Sequence, residues 1–135
     1  MSYTPLVVSL PIADRRAASA FYRDVLRLDP VGVPAEDGVP EPLQFALSED
    51  ARLMLIPEGG FGWVIGGREV ARPVQSECIL GLDSQTRAGV DDLVERARRA
   101  GGTVVSAPAN QPWGYAGSFT DLDGHLWLIT CTSAS

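Results

Sequence analysis

The sequence contains no lysine. Its 11 basic side chains are all arginines, and 17 Asp and Glu outnumber them for a net charge of -6 over 135 residues. A basic face able to neutralise a row of phosphates is therefore missing, which argues against nucleic acid as a partner. The lysine of a phosphate-binding loop is missing with it, so Gly59-Gly60 and Gly66-Gly67 do not read as such a loop. The densest basic cluster, Arg96, Arg98 and Arg99, lies beside Asp91, Asp92 and Glu95 in an amphipathic helix and reads as a solvated helix face. Histidine occurs once, at position 125, and no Gly-x-Ser-x-Gly elbow is present, which removes support for a Ser-His-Asp arrangement. Cysteine occurs twice, at Cys78 and Cys131, without zinc or redox spacing; both fall in apolar, strand-like contexts and are expected as reduced, buried packing thiols. No apolar run approaches the roughly 18 residues of a membrane span. The opening residues lack the basic-then-apolar pattern of a secretory signal, so the expectation is a cytoplasmic protein with no membrane partner.

What the sequence does contain is ordinary globular composition, 45% hydrophobic and 21% charged, at the length of one domain. The apolar run 6–10 predicts a buried strand. Asp14 stands as an N-cap, and Ala18, Phe21, Tyr22 and Val25 recur at helical spacing up to an end near Arg27. Strands are predicted at 31–33, 42–47 and 52–56, between Gly, Pro and acidic turns. Residues 57–73, rich in glycine and bounded by prolines, read as a long connection. The first pattern then returns: a strand at 77–82, a helical stripe of Val90, Leu93, Val94, Ala97 and Ala100 closed by Gly101, and strands at 103–107, 115–120 and 126–130. The fold class predicted is α+β, with one βαβββ module over residues 1–57, a connection over 58–73 and a second module over 74–135.

The stretches VSLPIADRRAASAFYRDVL, VDDLVERARRAGGTVVSAP and PWGYAGSFTDLDGHLWLI, in this order and spacing, resemble the glyoxalase, bleomycin resistance and extradiol dioxygenase group, the vicinal oxygen chelate superfamily, in its small glyoxalase-like branch. The resemblance implies that each module curls a mixed sheet into an open cup, that paired modules enclose a ligand cavity, and that two chains pair as a homodimer. It also implies metal ligands on the first strand of each module and on the last strand. Carried over by motif, these positions are Val7, Glu77 and Leu128. Val7 and Leu128 have no donor atom, whereas a catalytic metal needs three or four N or O donors at about 2.0–2.2 Å. The expectation is no metal and no cofactor. That suits family members that sequester a drug rather than convert it.

The candidate ligand-binding residues are Glu77, Phe61, Trp63, Trp113, Tyr115 and His125. Glu77 is expected at an inward position of a buried strand, where desolvation disfavours a charged carboxylate and suits it to act as a general base, to accept hydrogen bonds from a ligand, or to pair with an Arg. The aromatics offer stacking surface, with core packing as the competing account, the stronger one for Phe119. Trp63 needs somewhere to bury its ring, either a lid or a dimer interface. His125 follows an Asp123-Gly124 hairpin turn and is read first as a turn residue. Asp121-x-Asp123-Gly124 looks superficially like a calcium loop, but its third acidic position and distant Glu are missing. Three readings remain: binding of a small organic, aromatic or antibiotic-like molecule without metal; a lyase or dioxygenase that uses other metal ligands, or an isomerase with Glu77 as a metal-free base; or a regulatory or scaffold subunit with a vestigial cavity that binds no ligand.

Overall fold

Alternation along the opening strand puts Leu10 and Ile12 in the core and turns Val7, Ser9 and Pro11 to the other face, and β1 (Leu6–Ile12) forms on that pattern. The computed structural model describes residues 2–132 and continues with α1 (Arg15–Leu26), β2 (Leu43–Ala46), β3 (Ala51–Pro57), α2 (Glu58–Val64), β4 (Leu80–Asp83), α3 (Arg87–Arg99), β5 (Thr103–Gln111), β6 (Gly114–Thr120) and β7 (Leu126–Cys131). The chain divides into two units, one of residues up to 23 with 27–70, the other of residues 24–26 with 71 onward.

In the first unit β3 lies between β1, its parallel partner, and β2, its antiparallel one. Asp14 caps α1 as expected, its carboxylate accepting from the amides of Arg16 and Ala17 at 2.9 and 3.1 Å. Ala18, Phe21, Tyr22 and Val25 are all buried. Tyr22 meets Phe45 of β2 with ring centroids 5.9 Å apart. Each such fully buried apolar side chain contributes about 1.5–3 kcal/mol. The helix stops where Arg27 takes a left-handed conformation, φ 57°, and its amide donates to Arg23 O.

Two expectations about this unit are corrected. Residues 31–33 form no strand. Val31 donates to Gln44 O, but the chain then turns through an isolated bridge between Pro34 and Pro40, residues with no amide to give a ladder. The turn is held by side chains instead: Asp37 accepts from Val39 N, and Arg15 donates to Asp37 Oδ2, Val39 O and Pro40 O. The stretch 57–73 is not a continuous connection either, because Glu58–Val64 is helical. Pro57 precedes its first turn, Glu58 sits favourably at the positive end, and the amides of Gly66 and Gly67 close its last turn onto Trp63 O and Gly62 O.

The second unit repeats the plan with one more strand, in the order β4-β7-β6-β5. Its parallel pair β4/β7 and antiparallel pair β7/β6 correspond to β1/β3 and β3/β2. Thr86 caps α3 by accepting from Gly89 N at 3.0 Å, and Val90, Val94 and Ala97 are buried. Phe119 and Trp127, cross-strand partners on β6 and β7, stack at 6.5 Å in the core. Two register shifts along β5 bring Pro108 against Gly117, where a Cβ would lie 2.9 Å from Pro108 Cγ. The architecture is α+β, two open mixed sheets in βαβββ-like modules. No helix among the described residues is long and apolar enough to cross a membrane.

Candidate functional site

Each sheet has a helix-side face of buried apolar residues and an opposite, open face. In the first unit the open face carries Val7 and Ser9 of β1, Gln44 of β2, and Arg52, Met54 and Ile56 of β3, since these pair with one another and alternate with the buried Leu10, Leu43, Phe45, Leu53 and Leu55. In the second unit it carries Gly81 and Asp83 of β4 and Leu128 and Thr130 of β7, alternating with the buried Trp127 and Ile129; Ala116 and Ser118 of β6 lie on the same side but are buried, like Phe119 on the other. Thr130 Oγ1 donates to Asp83 Oδ1 at 3.1 Å, which confirms that the two side chains share that face.

Val7 and Leu128 thus do stand on open faces. Glu77 does not. It lies in an exposed bend three residues ahead of β4, which begins at Leu80 and not at residue 77. The desolvation expected of it as a base is absent. Cys78, beside it, is exposed too, while Cys131 at the end of β7 is buried, and the two form no disulfide. The helix caps give a firmer correspondence between modules than the motif did. Val7 stands seven residues before the N-cap Asp14, and the residue seven before the N-cap Thr86 is Ile79. Val7, Ile79 and Leu128 have no donor atom among them and do not fit a metal ion. Among the described residues no three His, Cys, Asp or Glu side chains are grouped to hold one.

The other candidates are dispersed. Phe61 and Trp63 belong to α2 in the first unit, Phe61 half-buried and Trp63 84% exposed. Trp113 tops the β5–β6 hairpin of the second unit and is 56% exposed. Tyr115 points to the helix side, not the open face: its hydroxyl donates to Asp91 Oδ1 at 2.5 Å, and Arg87 stands 5.2 Å over its ring. That hydrogen bond, with burial and the Asp91 charge, raises the phenol above its ordinary range. His125 is half-buried and works in the turn expected for it. Asp121 accepts from the amides of Asp123 and His125 at 2.9 Å each, and Asp121 N donates back to His125 O. Sequence reasoning missed Asp83; only the strand register, which fixes the face, singles it out.

The chain matches the family described as Glyoxalase/Bleomycin resistance protein/Dioxygenase superfamily over residues 5–129. No curated protein is matched. Among solved structures it is similar to hypothetical protein SA1046 from S. aureus, with 23% identity, TM-score 0.80, and 97% of this chain and 95% of that one covered. It is similar to a glyoxalase-related enzyme from Fulvimarina pelagi, with 25% identity, TM-score 0.78 and coverage of 93% and 86%. TnmS3, an antibiotic binding protein from Streptomyces sp. CB03234, shares 24% identity and a TM-score of 0.65 over 98% of both chains. The match over nearly the whole chain and the repeated modules agree: this chain belongs to the Glyoxalase/Bleomycin resistance protein/Dioxygenase superfamily.

Proposed function

We propose that this chain binds a small organic molecule, aromatic and antibiotic-like, without the family metal, and that it works as a cytoplasmic homodimer. The observation that carries this reading is the chemistry of Val7, Ile79 and Leu128: three positions facing or adjoining the open faces, all apolar. Isomerisation of a hemithioacetal, thiol transfer to fosfomycin and extradiol ring cleavage each ask a metal for electrophilic or redox work, and these side chains offer it no ligand. What the faces offer instead is mostly apolar and hydroxyl surface, with Gln44, Arg52 and Asp83 as the other polar side chains. The exposed rings of Trp63 and Trp113, with Phe61, add stacking area. The same fold in an antibiotic binding protein supports the same direction. Glu77 as a metal-free base gains no support from its exposed bend.

The test is elemental analysis of protein purified without chelator or affinity tag, with thermal-shift titrations of Zn²⁺, Ni²⁺, Mn²⁺ and Fe²⁺ and of a panel of aromatic compounds. The expected result is substoichiometric metal, no metal-induced shift, and stabilisation by at least one aromatic compound, worth about 2.7 kcal/mol at a hundredfold excess over its Kd. Near-stoichiometric metal with stabilisation of about 2 kcal/mol or more would overturn the reading.

A further inference from the structure

Two Asp-Gly pairs occur in the chain, Asp37-Gly38 and Asp123-Gly124. Such a pair carries a reaction of its own. The glycine amide nitrogen attacks the aspartate Cγ, water leaves and a succinimide ring closes; water then opens the ring at either carbonyl and yields aspartate or isoaspartate. Glycine permits the attack because no Cβ shields its nitrogen. The fold treats the two pairs differently. Gly124 is wedged, since a Cβ there would lie 2.1 Å from Pro73 O, and the amides of Asp123 and His125 on either side of it are both tied to the buried Asp121. Gly38 is not crowded at all: a Cβ on it would meet nothing within 4 Å. Steric shielding does not protect it.

What holds Asp37 is Arg15. The Arg15 side chain is only 16% exposed; its Nη1 donates to Asp37 Oδ2 at 2.5 Å, and its Nη2 to Val39 O and Pro40 O at 2.9 and 2.6 Å. Asp37 Oδ1 accepts from Val39 N at 3.1 Å, and Gly38 N donates to Ala35 O at 2.9 Å. Both oxygens of the carboxylate under attack, and the nitrogen that attacks, are thus engaged. Arg15 Nε is the one buried side-chain polar atom among the described residues without a hydrogen-bond partner, so the guanidinium is positioned by its Nη contacts to this turn. We propose that Asp37-Gly38 is a latent isoaspartate site and that Arg15 keeps it closed by fixing the carboxylate that has to turn onto Gly38 N. Once formed, isoaspartate carries its carboxyl on Cα and runs the backbone through the former side chain, one methylene longer, so the contacts to Arg15 and Val39 N cannot both be remade. The modification is independent of any ligand.

The experiment is prolonged warm incubation of the full chain below its melting transition, with isoaspartate located by peptide mapping with electron-transfer fragmentation and counted by methyl transfer from a protein isoaspartyl methyltransferase. Wild type, Arg15→Ala and Arg15→Lys are compared in buffer, with wild type in urea as the unprotected reference, where both pairs should isomerise. The folded wild type should stay unmodified at both. Arg15→Ala should accumulate isoaspartate at residue 37 about tenfold faster or more, because the open turn gains population by the factor that the lost charged hydrogen bonds represent, while residue 123 stays unmodified. Arg15→Lys keeps the charge without the planar fork and should fall between. Equal rates at residue 37 in wild type and Arg15→Ala overturn the proposal. If circular dichroism shows Arg15→Ala unfolded and both residues react, the Lys variant decides: a rise at residue 37 alone supports the guard, and a rise at both residues or at neither overturns it.

Discussion

Gly124 is irreplaceable by geometry rather than by habit of turn sequences. Its φ is +88°, and a Cβ there would lie 2.1 Å from the carbonyl oxygen of Pro73, a backbone atom that cannot swing aside. Gly124→Ala combines left-handed strain with a backbone clash, so a loss of about 3 kcal/mol or more is expected from denaturant midpoints; a loss below about 1 kcal/mol would show that the chain around Pro73 moves freely. Tyr115 makes the opposite case, a residue whose type suggested ligand contact and whose bond to Asp91 explains it structurally. That bond is the first cause of its raised pKa, so the folded state favours the neutral phenol. The sign follows: the contribution is complete below the unfolded phenol value of about 10 and is lost as pH rises through the higher folded value. An ultraviolet phenolate titration of the wild type should show one more late-ionising tyrosine than the same titration of Tyr115→Phe. An unchanged number of late-ionising tyrosines in the variant would overturn the assignment.

At the scale of elements, what was legible followed from periodicity and capping. The stripe Ala18, Phe21, Tyr22, Val25 and the cap Asp14 gave α1 almost to the residue, and Val90, Val94 and Ala97 gave α3, because burial of one face leaves a 3.6-residue trace in the sequence. The misses have a common physical origin in tertiary contacts that composition does not record. Residues 31–33 looked β-branched enough for a strand, yet neighbouring prolines deny the ladder and Arg15 holds the segment in a turn of its own. Glu77 looked inward because the family pattern was carried onto a strand expected to begin at residue 77, whereas β4 pairs with β7 only from Leu80 onward. The Arg15 contacts make a prediction. Arg15→Ala should cost about 1.5–3 kcal/mol for the lost charged hydrogen bonds. It should also speed amide exchange at Val39 and Gly38 well ahead of amides in β3. Uniform exchange changes across both would mean that Arg15 supports the whole unit rather than this turn.

For the whole molecule, the repeat was the most readable feature and the site the least, for one reason. A repeated βαβββ plan is written in every element, whereas the open faces are written in alternate residues of strands whose register only the folded sheets define. Val7 and Leu128 could be placed on those faces because a family pattern points at them; Asp83 could not, having no motif of its own. The apolar exposure that remains bears on assembly. Trp63 and Val64, at 84% and 65%, stand side by side at the end of α2, an arrangement that a monomer rarely maintains on its surface. If the chain pairs with a second copy through α2, sedimentation equilibrium should give twice the chain mass, and Trp63→Glu should raise the dissociation constant at least about a hundredfold, since a buried interface tryptophan commonly carries 2 kcal/mol or more and a charge in its place adds desolvation. Tryptophan emission of the wild type should shift to the red on dilution through the same concentration range. A dimer indifferent to Trp63→Glu would place the interface on another surface, and would return the ring of Trp63 to the ligand as its reason for standing in the open.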